Sequence, residues 1–232
     1  MRWFQGRSRR ASAARGDSAV WRRALRASLD GDLERVAELL TSLVERDSGD
    51  VEAFVVLGRV CRQGGDAGRA VAIHQALVVR RDLTRDERVE ALAEFGQSLH
   101  AAGEPRRALA AFEEVMVHDR RQLAALRGME GVLRDLGEWS RALAVMRRRG
   151  RVEGRRDRAA EAVLLAQMAR EAAARGDAAR ARRVVRRALR RDRDCADALE
   201  LADELAGRTE RPPAGPAARP STEAARAAAG GG

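Results

Sequence analysis

Apolar residues along most of this chain recur at intervals of three, four and seven, the spacing that places them on one face of an α-helix. Phe54, Leu57 and Cys61 form one such stripe, and Leu92, Phe95 and Leu99 form a second. Leu126, Met129 and Leu133 make a third, and Leu165, Met168 and Ala172 a fourth. After a short polar break each stripe is followed by another: Ile73 with Leu77, Leu109 with Phe112, Leu143 with Met146, and Val184 and Val185 with Ala188. The breaks share one string, Gly-acid-x-x-Arg-Ala, beginning at Gly65, Gly103, Gly137 and Gly176, with a degenerate copy at Gly31. Glycine can end a helix in the left-handed conformation. The acid then suits the N-terminal end of the next helix, by capping it and by meeting its positive dipole end. Pro105 falls in a first turn, where its missing N–H has no partner to lose. Small alanines at 70, 108, 142 and 181 let paired helices approach closely. The pattern predicts helical hairpins, repeated.

The glycines are 34, 38, 34 and 39 residues apart. Two of these intervals equal the period of the tetratricopeptide repeat, and the string and its flanking stripes resemble that repeat. The expected fold is all-α: a right-handed superhelical solenoid of about five helical hairpins plus a closing helix near 195–206. The repeat domain should cover 17–206. Residues 1–16 hold five arginines and no acid and read as a basic disordered segment. Residues 207–232, with Pro212, Pro213, Pro216 and Pro220 among Ala and Gly, read as a disordered tail.

Composition narrows the function. The chain has 232 residues, two cysteines and a formal charge of +10, and all 45 of its basic residues are arginine. Cys61 and Cys195 form no CxxC pair, which argues against a disulfide framework or a cysteine zinc site. No run of residues is long and apolar enough for a membrane helix. No Ser-His-Asp order, phosphate-binding glycine loop or HExxH string appears, so an enzyme is not expected, and neither a cofactor nor a metal is implied. The histidines His74, His100 and His118 lack metal-ligand spacing; His74 reads as a core residue, Cys61 as a small hydrophobe, and Trp139 and Trp21 as packing residues.

One stretch is similar to a particular family. Val51-Glu52-Ala53 leads through Leu57-Gly58 and Gly65-Asp66 to Arg69-Ala70-Val71-Ala72-Ile73-His74-Gln75-Ala76-Leu77, followed by Leu83-Thr84 and Ala101-Ala102-Gly103. This resembles the repeat region of the lipopolysaccharide assembly protein B family of Gram-negative bacteria, and the likeness extends more weakly from about 17 to 206. The resemblance implies a non-enzymatic adaptor at the cytoplasmic face of the inner membrane. Such adaptors help a membrane-bound protease control the deacetylase that commits precursors to lipid A. That family carries a membrane helix, about nine repeats and a rubredoxin-like metal module; this sequence has about five repeats and no CxxC, so the metal role does not carry over. Trp3 and Phe4, followed by Arg7, Arg9 and Arg10, resemble the interfacial and positive flank of a membrane helix, which raises the expectation that a preceding helix was clipped from the sequence. Other readings are a cytosolic scaffold in a secretion or signalling complex and an electrostatic RNA binder.

In tetratricopeptide solenoids the first helix of each pair lines the groove. Here the groove positions supply Arg59 and Arg62, Gln97 and His100, Arg127 and Arg134, and Arg170, together with Glu52 and Glu90. Basic groups outnumber acids, so the natural ligand is a protein partner presenting an acidic peptide or loop, gripped by bidentate arginine–carboxylate pairs. A second basic feature is 180–193, with eight arginines against one acid. It suits peripheral contact with an anionic membrane. It lacks the interleaved aromatics and motifs of a nucleic-acid binder.

Overall fold

The computed structural model describes residues 17–210, and the readings made for 1–16 and for 211–232 lie outside the described residues. Among the described residues there are eleven helices and no strand. Helix α1 spans 17–29. It is followed by α2 (Leu33–Arg46), α3 (Val51–Gln63), α4 (Ala67–Val78), α5 (Arg85–Ala101) and α6 (Pro105–His118). Then come α7 (Leu123–Asp135), α8 (Trp139–Glu153), α9 (Arg158–Ala174), α10 (Ala178–Leu189) and α11 (Ala196–Glu210). These are five hairpins and a closing helix. The closing helix runs through Gly207 to Glu210 rather than stopping near 206.

Each hairpin turn is built the same way. Gly31, Gly65, Gly103, Gly137 and Gly176 all have positive φ, between 70° and 87°. The following acid donates its N–H back to a carbonyl five residues earlier, as in Asp66 to Cys61 at 2.9 Å and Glu138 to Leu133 at 2.8 Å. The glycine N–H reaches the residue three back, as in Gly103 to His100 at 3.0 Å. Together these satisfy carbonyls that the helix end would otherwise leave open. The acid then begins the next helix, but only aspartate caps it: the carboxylates of Asp32, Asp66 and Asp177 each accept the N–H three residues on at 2.9 Å. Glu104 and Glu138 make no such cap. Their extra methylene carries the carboxylate past the backbone to the arginines three residues on, Arg107 and Arg141.

The chain divides into two compact units after Asp157, where the sequence alone suggested one repeat domain. Helix α8 ends at Gly154 with φ 69°, a left-handed turn outside the repeated string, and Arg155, Arg156 and Asp157 follow before α9. In the first unit α3, α5 and α7 lie side by side, each hairpin partner packed against them; in the second, α11 packs on both α9 and α10. The longer glycine intervals are explained by α5 and α9, each of 17 residues against 13 for α3 and α7. The additional residues amount to about one helical turn, so the apolar stripe keeps its direction.

The core is leucine- and alanine-rich, and the four alanines of the repeated string are fully buried. Its largest side chain is Phe112, which no solvent reaches. The ring lies so near the backbones of α5 and α7 that a Cβ added at Gly96 would stand 2.7 Å from it, and one at Gly128 2.2 Å. His74 takes the same place one repeat earlier, against Gly58, where an added Cβ would be 2.4 Å from the imidazole. Trp21 packs beside the Leu40, Leu43 and Cys61 cluster, and burial pushes the Cys61 thiol pKa up.

Candidate interaction surface

The first helices α3, α5 and α7 carry most of the candidate groove residues on adjoining faces. What the sequence did not reveal is how many of them already have partners. Arg59 on α3 donates from Nε to Glu94 on α5 at 2.8 Å and from Nη2 to Glu90 at 3.1 Å. Arg62 donates to the other Glu94 oxygen at 3.0 Å and to the Ser98 hydroxyl at 3.3 Å. His100 on α5 meets Asp135 on α7 at 2.5 Å, its ring resting against the Gly131 backbone. Arg127 on α7 donates to Glu153 on α8 at 2.8 Å. In the second unit Arg170 on α9 pairs with Glu200 and, at 3.6 Å, with Asp197.

Two of the seven differ. Gln97 is half-buried on α5 and its amide makes no hydrogen bond among the described residues, while Arg134 on α7 is exposed and forms no ion pair there. The signal for the pairings was present as spacing, since Arg59 and Glu94 are 35 residues apart, as are His100 and Asp135, about one repeat. It could not be read without the register between neighbouring helices.

The pairs are not equivalent. Glu94 is nearly buried and Arg62 largely so, and the two form a structural joint between repeats. Arg127 is mostly exposed, at 63% of its side-chain surface. Ion pairs that open to water contribute about 0–1 kcal/mol and exchange partners readily. Arg127 and, secondarily, Arg149 hold the Glu153 carboxyl pKa below its ordinary value. Behind them Arg149 on α8 donates to Glu130 at 3.0 Å, a glutamate seated where neighbouring repeats have Gly58 and Gly96. The seven-residue step from Arg127 to Arg134 is two helical turns, about 10 Å along one face of α7.

A polar chain runs inward from this surface. His74 Nδ1 lies 2.9 Å from the Ser98 hydroxyl and Nε2 lies 3.3 Å from the Val55 carbonyl. The carbonyl can only accept, so neutral His74 carries its proton on Nε2 and Nδ1 accepts from Ser98. Desolvation lowers the His74 pKa. A cleft of about 700 Å³, which the sequence did not indicate, opens between α2 and the start of α4, lined by Glu34, Glu38 and Glu45 with Cys61 and Arg69. On α10 and just past its end the exposed side chains of Arg183, Arg186, Arg187 and Arg190 form no ion pair among the described residues, whereas Arg182 bonds the Leu205 carbonyl at 3.3 Å and Arg191 meets Glu161 at 3.4 Å. Among the described residues no group of His, Cys, Asp and Glu is placed to hold a metal ion, and no helix is long and apolar enough to cross a membrane.

No protein-family profile matches the chain. It is 29% identical over 120 residues to lipopolysaccharide assembly protein B of Escherichia coli strain K12, a match covering 52% of this chain and 31% of that protein. The chain therefore spans about a third of the length of that curated relative. Among solved structures, a tetratricopeptide repeat protein from Parabacteroides merdae aligns with a TM-score of 0.60 at 14% identity, over 84% of this chain and 74% of that one. The MamA protein aligns with a TM-score of 0.58 at 15% identity, over 78% and 93% of the two chains. YrrB, a tetratricopeptide protein with an unusual peptide-binding site, aligns with a TM-score of 0.55 at 17% identity, over 78% and 88%. Hairpins, turns and neighbours agree: the chain has the all-α tetratricopeptide-repeat fold, and in sequence about half of it is similar to lipopolysaccharide assembly protein B.

Proposed function

We propose that this chain is a non-enzymatic adaptor that uses the α5–α7 face to hold an acidic peptide or loop of a partner protein. The carrying observation is Arg134, exposed and without an ion pair among the described residues, two turns from Arg127, whose ion pair opens to solvent. Two guanidinium groups at that spacing can each take a carboxylate. Arg170 offers a similar exposed pair in the second unit, whereas Arg59 and Arg62 serve the joint with α5 and position the face. Similarity to lipopolysaccharide assembly protein B supports partners in the lipid A pathway, namely a membrane protease and the deacetylase it controls. The alternative is a scaffold in another bacterial complex, served by the same face. Purified full-length chain should bind the protease or the deacetylase, and Arg127→Ala with Arg134→Ala should weaken that binding about 10- to 100-fold, as expected for two charge-assisted bonds. Binding that ignores both substitutions overturns the face. Absence of binding to either protein overturns the lipid A assignment.

Location at the cytoplasmic face of the inner membrane is supported by α10. Arg183, Arg186 and Arg187 on it and Arg190 at its C-cap, which form no ion pair among the described residues, recur on the surface opposite the buried Ala181, Val185 and Ala188. Basic groups near an anionic leaflet contribute about 1 kcal/mol each. The chain should float with phosphatidylglycerol-containing vesicles at low salt, and Arg186→Glu with Arg187→Glu should reduce that binding by roughly tenfold or more. Retention on RNA but not on vesicles would favour the electrostatic RNA reading instead.

A further inference from the structure

Among the described residues, the first and last helices each have one flank that no other described helix covers, and the flanks are complementary. Helix α1 buries Ala24 and Ala27 and packs Val20 and Trp21 against the first core cluster. Its opposite face carries Leu25 and Leu29, which are 63% and 81% exposed, beside the exposed Arg22 and Arg26. Helix α11 buries Ala198, Leu201 and Leu205. Its opposite face carries Leu199, 45% exposed, beside the exposed Glu200 and Asp203. Large apolar side chains this open are few in the described residues, and three of the five lie on these two helices.

Within the chain, joints between successive first helices are closed by a basic group meeting an acid on the next helix: Arg59 with Glu94, His100 with Asp135, and Arg170 with Glu200. The exposed flanks of α1 and α11 carry the same pairing of opposite charges. Helix α1 offers leucines between arginines, and α11 offers a leucine beside acids, so an apolar centre would be ringed by opposite charges.

We propose that α11 of one copy docks on α1 of a second copy, in a head-to-tail contact between Leu199 and the Leu25–Leu29 pair, steered by Glu200 and Asp203 against Arg22 and Arg26. Two different surfaces meet, so the contact is heterologous and adds further copies unless its rotation closes a ring. It is independent of the acidic-peptide face on α5 and α7.

Sedimentation of the full chain from micromolar to hundreds of micromolar protein should show average mass rising with concentration, less so at high salt. Leu25→Glu with Leu29→Glu blocks one surface, and Leu199→Arg with Asp203→Arg blocks the other. Each variant alone should stay monomeric while keeping its helical circular dichroism. An equimolar mixture should form a dimer and stop there, because only one intact surface of each kind remains. A wild-type chain that stays monomeric at every concentration overturns the proposal, as does a mixture that forms no dimer. If removal of residues 1–16 makes a monomeric chain associate, that segment rather than a second copy covers α1, and the proposal also fails.

Discussion

Phe112→Ala is expected to destabilise the first unit by about 3–5 kcal/mol, the range for deleting a fully buried aromatic ring. The upper part of that range applies because the ring fills a gap bounded by two glycines, Gly96 and Gly128, that have no side chains to relax into the space. The converse change is also costly. A Cβ at residue 128 would lie 2.2 Å from the ring, so Gly128→Ala overpacks the same joint, at a cost of about 1–3 kcal/mol. The two substitutions touch one another, so the double variant should lose less than the sum of the singles. Chemical denaturation followed by circular dichroism reads these as shifts in midpoint. A loss below about 1 kcal/mol for Phe112→Ala would show that the joint is not packed as described.

Stability should also fall as the solution is acidified, through His74. In the unfolded chain this imidazole titrates near its ordinary value of 6.5, while in the fold burial holds its pKa below that. Between those two values the unfolded chain binds a proton that the folded one excludes. Stability is therefore complete above about pH 6.5 and declines below it, with a limiting slope of about 1.4 kcal/mol per pH unit, until the folded-state value is reached. The surroundings explain why the proton is unwelcome. Desolvation is the main cause: a charged ring would place an N–H against the Ser98 hydroxyl, which now donates to Nδ1, and burial outweighs the Val55 carbonyl and Glu94, which favour the charge, while Arg62 and Arg59 oppose it. His74→Gln retains a donor and an acceptor of similar reach but cannot take up the proton. Its denaturation midpoint should change less between pH 7 and pH 5 than the wild type's, by up to that slope. Identical pH profiles would assign the acid sensitivity to other groups.

The backbone was the legible part of this protein. A left-handed residue between two helices all but requires glycine, and so each of Gly31, Gly65, Gly103, Gly137 and Gly176 could be placed from its string alone. The burial of His74 was legible for a related reason: it takes the position that Phe112 takes one repeat later. Its bonds to Ser98 and Val55 were not, because they depend on how far α5 slides along α3 and α4. The same register decides that Arg59 and Arg62 face Glu94 rather than open solvent, which turned expected ligand-binding groups into a joint between repeats. The string makes aspartate and glutamate look like equivalent caps; one methylene separates Asp66, which bonds the backbone, from Glu138, which bonds Arg141. Gly154 breaks the chain outside the repeated string, so the division into two compact units after Asp157 has no signature in that string.

The adjacency of the helices bears on how the chain acquires its structure. Among the described residues, each of α2 to α11 touches, within its unit, its immediate neighbours in sequence or the helix two places away. Contacts so local close short loops, which keeps the entropy of the folding barrier small and favours rapid formation. One hairpin cannot bury its apolar stripe alone, so neighbouring hairpins condense on one another through these local contacts. The tight Gly-acid turns thus keep the contacts of assembly, and not only those of the finished fold, between near neighbours in sequence.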